Sequence, residues 1–182
     1  MLARSLAEIY HDCPYWCDKG TDHSYIDIYE QLFQPFRQLP VTLLELGVKA
    51  GGSMWLWHHY FERGKIFGID FNEVDLNLPQ VTLRTGDATS KNDLDLVFGT
   101  QTFDIIIDDA GNDHQFEPQC SSLKALWERI CSGGMYIIED VQCIESVGRF
   151  AYPSPPTQVF DLRDNKGRHD DILLVWHKCK SV

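Results

Sequence analysis

The sequence has no long apolar run. Its apolar stretches are strand-sized, so none reads as spanning a bilayer, and the opening "MLARSLAEIYHDCPYW" turns polar too soon for a signal peptide. Basic residues are also scarce: 16 Lys and Arg stand against 27 Asp and Glu, a formal charge of -11. A chain with so little positive charge is not built to grip a phosphate backbone, which excludes a nucleic-acid partner. Cysteine is scattered at positions 13, 17, 120, 131, 143 and 179, with no second pair beside Cys13 and Cys17 at zinc-ribbon spacing. These read as reduced, packed thiols of a cytoplasmic protein rather than as zinc ligands. Missing too are G-x-G-x-x-G, the dinucleotide loop, and G-K-[ST], the triphosphate loop. There are no internal repeats and no low-complexity tracts.

What is present is an ordinary globular composition over 182 residues, 43% hydrophobic and 24% charged, enough for one domain with a substantial core. The chain alternates. "VTLLELGV" (41–48), "KIFGID" (65–70), "VTLRTGDA" (81–88), "FDIIIDD" (103–109) and "MYIIED" (135–140) read as strands. Between them, "SMWLWHHYFERG" and "NDLDLVFG" have helical character, and "PQCSSLKALWERICSGG" reads as an amphipathic helix, Pro118 in its first turn and glycines past its end. Strands separated by helices predict a doubly wound, Rossmann-like α/β sheet of five parallel strands. After a proline-containing loop, "VFDLR" and "ILLVWHK" flank the polar turn "DNKGRHDD", a β-hairpin that adds an antiparallel pair at one edge. Residues 1–40 form an N-terminal helical segment on the substrate side, and 41–182 the core of a single domain. Trp55, Trp57, Tyr60 and Phe61 read as helix-on-sheet packing.

Ligands of such sheets bind outside the carboxyl ends of the strands. Here those ends hold Glu45, Asp70, Asp87, Asp108 and Asp109, and Glu139 and Asp140. Every predicted parallel strand ends in acid. The first loop runs Glu45-x-Gly47-x-x-x-Gly51-Gly52-Ser53, glycines that let a ligand approach the backbone. Asp70 follows Gly47 by 23 residues, at the end of the next strand, where a carboxylate accepts ribose hydroxyls. Asp87, after Gly86, would flank an adenine edge. Adenosine without a pyrophosphate cradle, among acids, suits a cationic cofactor. Read alone, Asp108 can equally cap the following turn, and Glu139 and Asp140 can be solvated strand-end charges.

"LLELGVKAGGS", "GID", "GDA", "FDIIIDDAGNDH" and "GGMYIIEDVQ" resemble the class I S-adenosylmethionine-dependent methyltransferases. More narrowly they are similar to the metal-dependent sugar O-methyltransferases of macrolide and glycan tailoring. Those enzymes carry a Glu-x-Gly loop, a strand ending Asp-Asp-Gly-Ser-His, a later Ile-Glu-Asp, and an N-terminal Gly-Thr-Asp-Lys that Gly20, Thr21 and Asp22 resemble. The resemblance implies S-adenosylmethionine contacts at Glu45, Gly47, Asp70 and Asp87, beside which Gly51, Ser53 and Asp108 are further cofactor-binding candidates. It implies Mg²⁺ or Mn²⁺ ligands at Asp109, Glu139 and Asp140, with Asp109 and the base His114 as catalytic residues. Two departures stand out: the Asp-Asp…His segment is two residues longer here, and His23 takes the place of the motif's Lys.

A hard cation with oxygen ligands would offset the repulsion between these carboxylates and hold an acceptor hydroxyl in line with the methyl sulfonium. His114 would take the proton. The expected partner is a small-molecule or glycan hydroxyl acceptor, with no membrane partner and a homo-oligomer left open. Two alternatives share the same residues: an O-methyltransferase of a catechol or phenolic acceptor, and a non-catalytic cofactor-binding subunit.

Overall fold

The structure, a computed structural model, describes residues 3–110 and 116–179. Seven strands form one sheet in the order β3-β2-β1-β4-β5-β7-β6. They are β1 (Thr42–Leu46), β2 (Lys65–Asp70), β3 (Val81–Thr85), β4 (Phe103–Asp108), β5 (Ile130–Ile138), β6 (Gln158–Asp161) and β7 (Ile172–His177). The first five pair in parallel. β7 runs antiparallel to β5, and β6 to β7, so the expected edge hairpin is present.

The sheet is covered on both faces because its strands are apolar at consecutive positions. Side chains alternate across a strand, and the isoleucines of β4 divide accordingly. Ile105 and Ile107 join Leu43 and Ile137 in one core, against Tyr29, Phe33, Met54 and Trp57. Ile106 joins Leu44, Leu46 and Ile138 in the other, against Leu94, Phe98, Leu123 and Leu126. The first cover comprises α1 (Leu6–His11), α3 (Ile26–Phe33) and α4 (Gly52–Tyr60); the second comprises α5 (Lys91–Phe98) and α6 (Phe116–Leu126). Ser5 and Glu8 close a reciprocal capping box on α1, and Ser90 caps α5 through the Asp93 amide. A single turn, α2 (Asp18–Thr21), precedes α3, and another, α7 (Arg163–Lys166), sits in the hairpin connection.

One boundary differs from the sequence reading. The helix expected to run from about Pro118 up to the glycines at 133 and 134 ends as α-helix at Leu126, and "ICSGG" is already β5. A Cβ on Gly134 would lie 2.5 Å from the Asp104 carbonyl oxygen, so this glycine serves a close strand approach rather than a helix stop. All six cysteines are free. Among the described residues, no helix is long and apolar enough to cross a membrane.

Candidate active site

A cavity of about 440 Å³ opens at the carboxyl ends of β1, β2 and β4. Gly47, Ser53, Asp70 and Asp109 line it, with Trp16 and Lys19 from the N-terminal segment. Gly47 has φ 84°, and a Cβ there would sit 2.3 Å from the Asp109 carbonyl oxygen. Only glycine fits that backbone and that approach. Asp70 ties the loop to β2. Its Oδ2 accepts the Val48 and Lys49 amides at 2.9 and 3.0 Å, and its Oδ1 accepts Asn72 N–H at 2.9 Å. Partial burial opposes its charge, but the Asn72, Lys49 and Val48 amides prevail and hold its carboxyl below the usual range.

The other cofactor candidates lie differently. Gly86, Ala88 and Thr89 line the cavity, whereas Asp87 accepts the Thr89 amide at 2.8 Å and its hydroxyl at 2.7 Å within the turn. Gly51, at φ 81°, caps the N-terminus of α4. Glu45 is fully buried beside the cavity, its Oε2 accepting Trp57 Nε1–H at 2.6 Å. The adjacent acids Asp108 and Asp109 point to opposite faces, although Asp109 still adds to the rise in the Asp108 pKa. Asp108 Oδ2 accepts the Tyr136 hydroxyl at 2.7 Å, and burial raises its pKa to about 7. Asp109 turns towards the cavity and the N-terminal segment. His114 lies outside the described residues.

Behind the cavity is a buried charge cluster. Oxygens of Glu45, Asp109 and Glu139 lie within 4.8 Å of one another, close enough to share a metal ion. The Lys19 ammonium stands among them, 2.6 Å from Glu139 Oε1, 2.9 Å from Asp109 Oδ2 and 3.3 Å from Glu45 Oε1. Tyr29 also donates its hydroxyl to Glu139 Oε1. Asp140, at a left-handed φ of 55°, takes a separate direction: its Oδ1 accepts the Tyr25 hydroxyl at 2.7 Å and lies 3.4 Å from His23 Nδ1. The structure thus brings Asp109 and Glu139 together with Glu45 and Lys19, and places Asp140 beside Tyr25 and His23.

Burial disfavours charge throughout this cluster, but three acids, Glu45, Asp109 and Glu139, face one ammonium, with Asp140 beside them on Tyr25 and His23. Burial is opposed at Lys19 by Asp109, Glu139 and Glu45, which keep it protonated well above the ordinary lysine range. Burial raises Glu45 and Glu139, and it carries Asp140, next to Asp109, up to about 8. The donor set suits a hard cation: all oxygens, in negative surplus, with Glu45 Oε1 buried and accepting no hydrogen bond among the described residues.

Sequence reasoning assigned no individual site role to Lys19, Tyr25, Tyr29 or Trp57, although the first three lie in the N-terminal segment read as the substrate side. Tyr25 caps the N-terminus of α3 and Tyr29 lies one turn on, so the two share a face. Lys19 gives no local signal.

No family model matches the chain. It is 34% identical over 134 residues to the 8-demethyl-8-alpha-L-rhamnosyl tetracenomycin-C 2'-O-methyltransferase of Streptomyces olivaceus, covering 69% of this chain and 35% of that protein. It is 33% identical over 137 residues to the demethylmacrocin O-methyltransferase of Streptomyces fradiae, covering 70% and 33%. The chain therefore spans about a third of the length of these relatives. Among solved structures, the MycE methyltransferase of the mycinamycin pathway, in complex with Mg and SAH, superposes with a TM-score of 0.69 at 28% identity, over 81% of this chain and 39% of that one. The resemblance read from the motifs is borne out: the relatives are O-methyltransferases, one of them acting on a rhamnosyl tetracenomycin, and the fold is the class I methyltransferase fold.

Proposed function

We propose that this chain, which has the class I methyltransferase fold, is an S-adenosylmethionine-dependent, divalent-metal-assisted O-methyltransferase of a sugar or glycan hydroxyl. The observation that carries the reading is the position of Asp109. One carboxylate both lines the cavity at the glycine loop and joins the buried acids behind it, so cofactor and metal chemistry would meet at one side chain. S-adenosylmethionine would supply the methyl group, and Mg²⁺ or Mn²⁺ would supply a Lewis acid for the acceptor hydroxyl.

The chain's own residues do the rest. Asp70 would hold the ribose, and Gly47 and Ser53 would let the cofactor lie against the loop, with Glu45, Gly51 and Asp87 around them; Asp108, expected here too, instead faces Tyr136 on the other side of the sheet. Asp109, Glu139 and Asp140 would hold the ion. His114 accepts the hydroxyl proton, since an imidazole works near neutral pH.

The test is mass spectrometry of rhamnosyl and related glycosides after incubation with the protein, S-adenosylmethionine and Mg²⁺. A methylated glycoside is expected, lost in excess chelator and restored by Mg²⁺ or Mn²⁺. No product on any glycoside would overturn the acceptor class, and full activity in chelator would remove the metal from the reaction.

A further inference from the structure

We propose that Lys19 is a built-in cation of this site. Its ammonium keeps the inner point where Glu45, Asp109 and Glu139 converge, and the divalent ion is held outside it, by the remaining oxygens of Asp109 and Glu139 together with Asp140. The inference rests on the functional reading above and refines it: Glu45 becomes the counter-ion of a lysine, and Lys19 a positioning residue.

Geometry makes the two cations exclusive at the inner point. The three oxygens that could share an ion are within 4.8 Å of one another, and Lys19 Nζ already contacts Glu45, Asp109 and Glu139 there at 3.3, 2.9 and 2.6 Å. An ion coordinated at roughly 2.0–2.1 Å, as Mg²⁺ is, leaves no room for an ammonium at the same point.

Lys19 is also held there by its surroundings. It is 1% exposed. Its own carbonyl accepts Tyr25 N–H at 3.0 Å, and the preceding Cys17 carbonyl accepts the Tyr10 and Thr21 hydroxyls, each at 3.1 Å. From the far end of the chain, Lys166 Nζ donates to the carbonyls of Gly20, Thr21 and His23 at 2.5, 2.9 and 2.6 Å. A Cβ on Gly20 would meet the Tyr10 ring at 2.6 Å, so the turn is packed down tightly. This backbone is fastened on every side, and the lysine has no ready retreat.

The outer side is where a hydrated ion arrives. The Glu45 and Glu139 side chains are 0% and 2% exposed, whereas those of Asp109 and Asp140 are 18% and 8%. Mg²⁺ sheds water reluctantly and commonly binds through one or two carboxylates while keeping several waters. Lys19 commits one oxygen of Asp109 and one of Glu139, which fixes both carboxylates and leaves the second oxygen of each. Four acids share one ammonium, so a divalent ion can still be bound as the acids give up their protons.

The test is amine acylation of the wild-type chain, read at Lys19 by peptide mass spectrometry, without metal and at saturating Mn²⁺ followed by EPR. Lys49, whose side chain is 69% exposed, reports that the reagent works. Lys19 is expected to stay unlabelled in both states. Labelling that appears only with Mn²⁺ would show the ion evicting the lysine and would overturn the proposal while leaving a metal enzyme. Failure of the wild type to bind Mn²⁺ would instead overturn the metal part of the functional reading, and this inference with it. Removing a like charge so close to the ion should tighten Mn²⁺ binding of Lys19→Met by at least about tenfold. Unchanged or weaker binding by the folded variant would make the lysine merely structural and overturn its role.

Discussion

Asp70→Ala separates a cofactor contact from a loop fastener. Asp70 accepts three backbone amides, from Val48, Lys49 and Asn72, so the change frees three donors whether or not a ligand binds there. A hydrogen bond to a charged group is worth about 1.5–3 kcal/mol. The carboxylate is only partly buried and water replaces part of each bond, so the expected loss of folding stability is about 2 kcal/mol in total. Loss of the ribose contact should weaken S-adenosylhomocysteine binding by about 1.5–3 kcal/mol, or roughly 10- to 150-fold in Kd. Asp70→Asn divides the two effects, because its amide oxygen can still accept the Val48 and Lys49 pair. It should recover most of the stability and little of the affinity. The pH dependence has a definite sign. The folded pKa of Asp70 lies below the ordinary value, so its contribution is complete above about pH 4 and is lost as pH falls further through the folded value. That acid-side loss should be absent from Asp70→Asn relative to wild type. Calorimetry with the cofactor product and thermal denaturation from pH 7 to pH 3 measure all of this. Unchanged cofactor affinity in Asp70→Ala would refute the ribose assignment, and an unchanged melting temperature would refute the role of the three amides.

Two other substitutions test the frame around the site. Gly47→Ala combines a left-handed backbone with a Cβ 2.3 Å from the Asp109 carbonyl oxygen; strain and overpacking together should cost roughly 2–5 kcal/mol. It should also abolish cofactor binding in whatever fraction stays folded, as calorimetry on the folded variant would show. Ser5→Ala removes the acceptor that caps α1 through the Glu8 amide, and should lower stability by about 1 kcal/mol. That is about 2–4 °C in Tm for a chain of this size, with cofactor affinity unchanged.

Much of the fold was legible because the sheet announces itself. Three consecutive isoleucines in β4 require apolar partners on both faces, and the cores on either side supply them. The end of α6 was not legible. "ICSGG" carries the glycines that stop helices, yet here one of them admits the Asp104 carbonyl, a contact that exists only once β4 and β5 are side by side. The glycine loop and Asp70 were readable for the opposite reason: their spacing along the chain is the geometry. Lys19 was invisible because its partners Asp109 and Glu139 are 90 and 120 residues away. Nothing near a lysine in "CDKGTD" says that it will be buried.

The run of acids at the strand ends has several causes. Asp70 fastens the glycine loop, Asp87 its own turn, and Asp108 the Tyr136 hydroxyl on the far face. What remains is Glu45 from β1, Asp109 after β4, and Glu139 and Asp140 after β5. The sheet order places β1, β4 and β5 side by side, and the strand sequence reverses direction between β1 and β4, the crevice where open α/β sheets bind ligands. Asp109 sits at that crevice. A carboxylate there faces both neighbours, and a lysine that binds one of its oxygens fixes the other towards the cavity. On this view the cation supplied by the chain is what makes so dense an acidic cluster foldable, because unpaired buried carboxylates carry a heavy desolvation cost. Lys19→Met should therefore fold less stably without a divalent ion and recover stability as Mn²⁺ is added, an increment larger than the wild type shows in parallel melts. Equal Mn²⁺ increments in the two proteins would mean that the acids are held apart by something other than Lys19.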